Sequence, residues 1–216
     1  KKYKFNTNEI KTLEKGLKDI TIKSFIRLDK DTKNINKLIK NRAIILNSKK
    51  SEVIKFSQLL NDCKKYGTLP FAHAARAGFV SITILKSFVV EKILTLKRFN
   101  DFMNGVNSVA KDFENELSRI KINKKNRLKF INKFGHLRPG TYEIGNKAYW
   151  EEPDFYLNTN TSIIKKKFNK FIPNKIERKK IELFLKKLGS SISVDDLISY
   201  FYKSIEYRES TKFEFT

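Results

Sequence analysis

A chain of 216 residues suits one domain or one and a half, and 40% hydrophobic residues with 18 Phe are enough for a real core. Its one cysteine, Cys63, excludes an internal disulfide framework, fits a reducing cytoplasm and reads as a packing residue. The net charge of +23 invites a polyanion, yet the 46 basic residues are mostly lysines scattered along the chain, and no nucleic-acid-binding signature appears.

Residues 1–4 are a basic start without a cap, as in a chain that begins inside a larger protein. Thr7-Asn8-Glu9 reads as a helix start with an acidic first turn, and a short helix is predicted to about Asp19. A second is predicted over residues 31–47, with Ile35, Leu38, Ile39 and Ile45 on one side. Ser51 is placed to cap a third, in which Val53, Ile54, Phe56, Leu59 and Leu60 recur at helical spacing and Tyr66-Gly67 marks the stop. Thr68-Leu69-Pro70 then reads as a link to the most hydrophobic helix. There Phe71, Ala74, Ala75, Gly78, Phe79, Ile82, Leu85 and Val89 repeat at three and four, and the small residues admit a second helix closely. His73 and Arg76 lie together on another face. His73 reads as a satisfied core residue, whereas Arg76 needs a carboxylate or an anionic ligand. No apolar run is long and uninterrupted enough for a membrane span, and no signal peptide is evident.

From Thr95 or Lys97, the seam Phe99, Phe102, Met103, Val106, Val109, Ala110, Phe113 and Leu117 predicts one helix packed antiparallel on the previous one. Asn123 caps a further helix through Lys133. It delivers the chain to Phe134-Gly135-His136-Leu137-Arg138-Pro139-Gly140-Thr141-Tyr142-Glu143-Ile144, a Gly- and Pro-punctuated turn crowded with polar side chains. Residues 145–153 read as loop and 154–157 as a short aromatic segment. Residues 163–172 leave strand and frayed helix open. A helix over residues 177–188 ends at Gly189, and Ser193 with Asp195 and Asp196 opens the last. Strand signals are sparse, so the expected fold is all-α, a helical array with one functional loop. The expected division is residues 1–157, with signature loop 134–144, and a helical continuation over 158–216.

The chain shows no glycine-rich phosphate loop, no paired-carboxylate metal motif and no Cys/His metal spacing. The loop 134–144 resembles the Tyr-Gly-His-Leu-Arg-Pro-Gly-Thr-Tyr-Asp-Ile signature of phosphoenolpyruvate-synthase-like proteins, in the branch associated with bacterial surface-polysaccharide gene clusters. Asp62-Cys63-Lys64-Lys65-Tyr66-Gly67-Thr68-Leu69-Pro70-Phe71-Ala72, followed by Ala75-Arg76-Ala77-Gly78-Phe79, resembles a second signature of that branch. Arg208-Glu209 and Lys212-Phe213-Glu214-Phe215-Thr216 echo a third. Where relatives carry Ser-Pro-Arg-Tyr-Asp-Glu-x-Pro, this chain keeps Tyr149, Glu151 and Pro153 but has Ala148 for the arginine and Trp150 for the first acid.

The resemblance implies the helical, acceptor-binding region of a larger enzyme. An ATP-grasp domain would hold ATP and magnesium, and a swivelling domain would carry a phosphorylated histidine. The β-phosphoryl of ATP would pass through that histidine to a small amino or keto acid, yielding AMP and phosphate. Neither His73 nor His136 matches the phosphohistidine motif. By the same resemblance Arg76, Arg138, Thr141, Tyr142, Tyr66 and Thr68 would contact the acceptor, and His136 and Glu143 would move protons. One activity known in the branch phosphorylates the side-chain amide nitrogen of L-glutamine for capsular phosphoramidate. Pyruvate or another small acid is the alternative acceptor, and a non-catalytic module holding an acidic partner is the alternative class.

Overall fold

The computed structural model describes residues 4–120, 123–140, 143, 145–157 and 169–215, and every regular element among them is helical. The chain is all-α, as its apolar periodicity predicts. It forms two compact units: Lys1–Val106 with Phe171–Phe215, and Asn107–Lys170. The division drawn at residue 157 followed the sequence, whereas the first unit is discontinuous and takes in the last two helices.

In the first unit, the Asn6 side chain accepts from the Asn8 and Glu9 amides at 3.0 and 2.9 Å, and Glu9 accepts from the Asn6 amide at 2.7 Å. This capping box opens α1, Thr7–Leu46, which runs 40 residues without a break where two helices were predicted. Nothing between Asp19 and Asp31 stops it, because the segment holds neither Gly nor Pro. Leu28, Asp31, Ile35 and Leu38 form one buried stripe across the predicted gap.

The predicted stop at Tyr66-Gly67 is also absent. Helix α2, Glu52–Asp62, passes through a π-helical turn, Cys63–Thr68, straight into α3, Leu69–Val90. Pro70 explains the widened turn: it has no N–H for the Tyr66 carbonyl four residues back, and its ring would crowd that oxygen. Thr68 Oγ1 donates to the Lys64 carbonyl at 2.8 Å, covering one carbonyl inside the turn. Ser51 makes no side-chain cap, and α2 buries no residue. Val53, Ile54, Phe56 and Leu60 have helical spacing but are exposed.

Helix α3 supplies the core face Ala74, Ala77, Gly78, Ser81, Leu85 and Phe88. Its partner is α9, Val194–Phe215. A Cβ on Gly78 would meet Arg208 Cδ at 3.3 Å, so the small residues do admit a close helix, with Ala77 rather than Ala75 buried. Ser81 and Ser204 hydrogen-bond at 2.6 Å in the buried contact. Phe88, Phe102 and Phe201 are fully buried, each stabilising the unit by about 2–3 kcal/mol. On length and composition, Glu52–Val90 is apolar enough to cross a membrane, a measure that core helices also meet.

The single helix predicted from Thr95 to Leu117 is two. Helix α4, Leu96–Gly105, is capped by Thr95. Val106 then turns extended, and the Ser108 hydroxyl accepts from the Lys111 amide at 3.3 Å to open α5, Val109–Arg119. Asn104-Gly105 and Asn107-Ser108 are the stop and restart; the apolar seam runs through them, so Phe102 and Phe113 serve different cores. Of the last two helices of the first unit, α8 (Lys175–Lys187) is capped by Asn174 and starts two residues before the predicted 177, while α9 begins after Ser193 as predicted; Gly189 takes φ +66° after α8.

In the second unit, Asn123 accepts from the Asn126 amide at 2.8 Å and opens α6, Lys124–Phe134. Phe113 of α5 packs its ring 5.1 Å from Phe130, 5.3 Å from Phe134 and 5.5 Å from Tyr149, forming an aromatic core beneath the loop that follows. Helix α7, Pro153–Leu157, is the predicted aromatic segment. Of residues 163–172, those from 163 to 168 lie outside the described residues, and Phe171 is buried.

Candidate functional site

The loop after α6 is closed on itself. The amides of Tyr149 and Trp150 donate to the carbonyls of Leu137 and Gly135 at 3.1 and 3.0 Å, tying its two ends together. Gly140 takes φ +68°, a backbone state that suits glycine, and the Glu143 amide returns to its carbonyl at 2.8 Å. The Asn146 side chain donates to the Pro139 carbonyl at 2.7 Å, and Arg138 Nη1 donates to the Asn146 carbonyl at 2.9 Å. Backbone bonds and one guanidinium thus shape the loop, with the Phe113–Phe130–Tyr149 cluster as its floor. Burial pushes the Tyr149 phenol up, so it stays protonated as a packing ring.

This geometry brings His136, Arg138 and Glu143 onto one loop. His136 is half-buried, its ring 6.1 Å from that of Trp150, while Arg138 and Glu143 are exposed. Thr141 and Tyr142 lie outside the described residues. The position that the resemblance fills with arginine carries Ala148, 2% exposed, and a long cation has no room there.

The other three candidates, Tyr66, Thr68 and Arg76, belong to the first unit. Tyr66 sits in the π turn with Lys37 Nζ 4.8 Å and Lys65 Nζ 5.3 Å from its ring centre. Lys37 first, and Lys65 with it, hold its phenol below the ordinary range against an opposing effect of burial. Thr68 is exposed, and its hydroxyl bonds back to the helix. Arg76 is exposed at the edge of a small cleft between α1 and α3, together with Lys23, Arg27, Asp31 and His73.

His73 is the satisfied histidine the sequence suggested, because its Nδ1 lies 3.1 Å from Asp31 Oδ2. Asp31 was not legible as a site residue: it stands 42 positions away on a helix predicted to start there. Lys23 and Arg27 fell in the predicted gap between two helices. Only the spacing of His73 and Arg76, three apart on α3, pointed toward this cleft. Among the described residues no group of three His, Cys, Asp or Glu side chains is placed to hold a metal ion. Comparison of the chain with family models, with curated proteins and with solved structures finds no match.

Proposed function

We propose that this chain is the acceptor-binding helical region of an ATP-dependent phosphotransferase that works through a phosphohistidine, with L-glutamine as the acceptor. ATP and magnesium belong to an ATP-grasp domain, and the phosphorylated histidine belongs to a swivelling domain of the same enzyme. The observation that carries the reading is the self-bonded loop 135–150, which holds a histidine, an arginine and a carboxylate on a frame fixed by its own backbone. Holding such groups on one loop serves the positioning that phosphoryl transfer asks of a protein.

In this reading Arg138 pairs with the acceptor α-carboxylate, and Glu143 takes the proton that the amide nitrogen loses as it bonds to phosphorus. His136 exchanges protons near neutral pH. Arg138→Ala in the complete enzyme is expected to reduce acceptor turnover at least a hundredfold and to leave ATP-dependent histidine phosphorylation near wild type. Equal loss of both would remove the acceptor role. The net charge of +23 favours a second reading, a non-catalytic module that holds an acidic partner. Its binding would weaken steeply with salt, while a glutamine site would respond little.

A further inference from the structure

The cleft between α1 and α3 collects an unusual set of charges. Lys23 and Arg27 reach it from successive turns of α1, and Arg76 reaches it from α3. Among the described residues no carboxylate pairs with any of the three. Like charges four apart on a helix repel by a few tenths of a kcal/mol, and a third cation facing them adds to that cost. Such an arrangement lowers stability until an anion enters it.

The floor of the cleft is built rather than incidental. Asp31 is 6% exposed, and its carboxylate is partnered by His73 Nδ1 at 3.1 Å. The pair fixes the imidazole and leaves Nε2 as the nitrogen for a ligand. With three cations against one carboxylate the cleft stays net positive, which suits a dianion better than a monocarboxylate. The space is about 50 Å³. That is several times the roughly 10–15 Å³ one water needs, so it admits a tetrahedral oxyanion but no polymer.

We infer that this cleft binds a phosphate dianion, either free or as the phosphoryl end of a small molecule. Arg27 and Arg76 hold its oxygens as forks, Lys23 adds charge, and His73 donates from Nε2 with Asp31 positioning the ring. With Nδ1 turned to Asp31, Nε2 is the imidazole nitrogen left to face the dianion. The facing charged groups are Asp31, Lys23 and Arg27 on α1 and Arg76 on α3, with Tyr207 of α9 buried within the field of Asp31. The site stands on the geometry of the first unit alone, and it is unaffected if the glutamine assay fails.

The test is proton NMR of the imidazole C2–H signals of the chain. Two histidines are present, and a His136→Asn variant assigns them. Inorganic phosphate, sulfate, phosphoserine and acetate are titrated at constant ionic strength. Phosphate and sulfate are expected to shift the His73 signal saturably, with Kd on the order of 1 mM. Arg27→Gln and Arg76→Gln, both exposed side chains, are each expected to weaken binding about tenfold with an unchanged far-UV spectrum. Phosphoserine tighter than phosphate assigns the site to a phosphorylated small molecule, and the reverse assigns it to the free ion. A linear, non-saturating response, acetate as effective as phosphate, or variants that bind like wild type would each overturn the site.

Discussion

Glu177 and Arg98 join α4 to the start of α8, and Glu177→Ala is expected to lower the stability of the first unit by about 3 kcal/mol. Arg98 Nε and Nη2 donate to the two carboxylate oxygens at 2.7 and 2.8 Å, and Nη2 also reaches the Ile172 carbonyl at 2.8 Å. The guanidinium lies 4.3 Å over the Phe171 ring, and Glu177 accepts from the Asn174 amide at 2.8 Å to complete the α8 capping box. The Glu177 side chain is 8% exposed and that of Arg98 29%, so removing the carboxylate leaves a partly buried cation with only Asp101, 3.6 Å away, and the Ile172 carbonyl as polar partners among the described residues. Loss of a helix cap costs about 1 kcal/mol. Breaking a buried fork costs up to about 3–5 kcal/mol, discounted here because Arg98 keeps some water contact. Glu177→Gln keeps the capping acceptor and is expected to lose about 1 kcal/mol less than Ala.

The same pair fixes a pH dependence. The Arg98 fork holds the Glu177 carboxyl below its ordinary value of 4.5, with burial opposing and the Asn174 amide assisting. A depressed folded value means the unfolded chain takes up the proton first. The stabilisation is therefore fully present above about pH 4.5 and is lost as pH falls through the folded value. Urea unfolding followed by far-UV circular dichroism at pH 7 and pH 3 measures both effects. The gap between wild type and Glu177→Gln should narrow at the lower pH. A Glu177→Ala variant within about 0.5 kcal/mol of wild type at pH 7 would refute the reasoning.

Two further substitutions test local geometry. Tyr207 Oη and Thr211 Oγ1 are buried near each other, one helical turn apart, without a hydrogen bond of ordinary geometry among the described residues, so Tyr207→Phe should be neutral or stabilise by about 1 kcal/mol in thermal unfolding. A loss of that size would mean the hydroxyl is bonded. A Cβ on Gly135 would stand 2.3 Å from the Ile131 carbonyl oxygen and 3.1 Å from Trp150 Cβ. Gly135→Ala should therefore destabilise the second unit by about 1–3 kcal/mol and shift the emission of the single tryptophan; an unchanged spectrum and midpoint would contradict it.

Helix identity was legible wherever apolar spacing met a polar cap. Asn123, Ser193 and the Gly189 stop mark real boundaries because each satisfies or releases backbone groups at a helix end. Punctuation failed where the chain absorbed it. Gly67 and Pro70 read as a break, yet a π turn carries both inside one continuous rod. The opposite error occurred at Asn104–Ser108, where an unbroken apolar seam concealed a helix end, because periodicity does not register a residue turning extended.

Burial was less legible than spacing. Val53, Phe56 and Phe79 fit helical stripes but face outward, and only tertiary partners decide that. Of the candidate site, the loop bearing His136, Arg138 and Glu143 was visible as a motif, since its residues are contiguous. The Asp31–His73 pair was not, because it depends on α1 running unbroken past Asp19 to face α3.

The acceptor assignment is tested most directly by phosphorus NMR of the complete enzyme supplied with ATP and magnesium, with L-glutamine and pyruvate offered in parallel. A phosphoramidate resonance that grows with AMP in the glutamine sample alone is the predicted result. Phosphoenolpyruvate from pyruvate, or AMP release with neither acceptor modified, would contradict it.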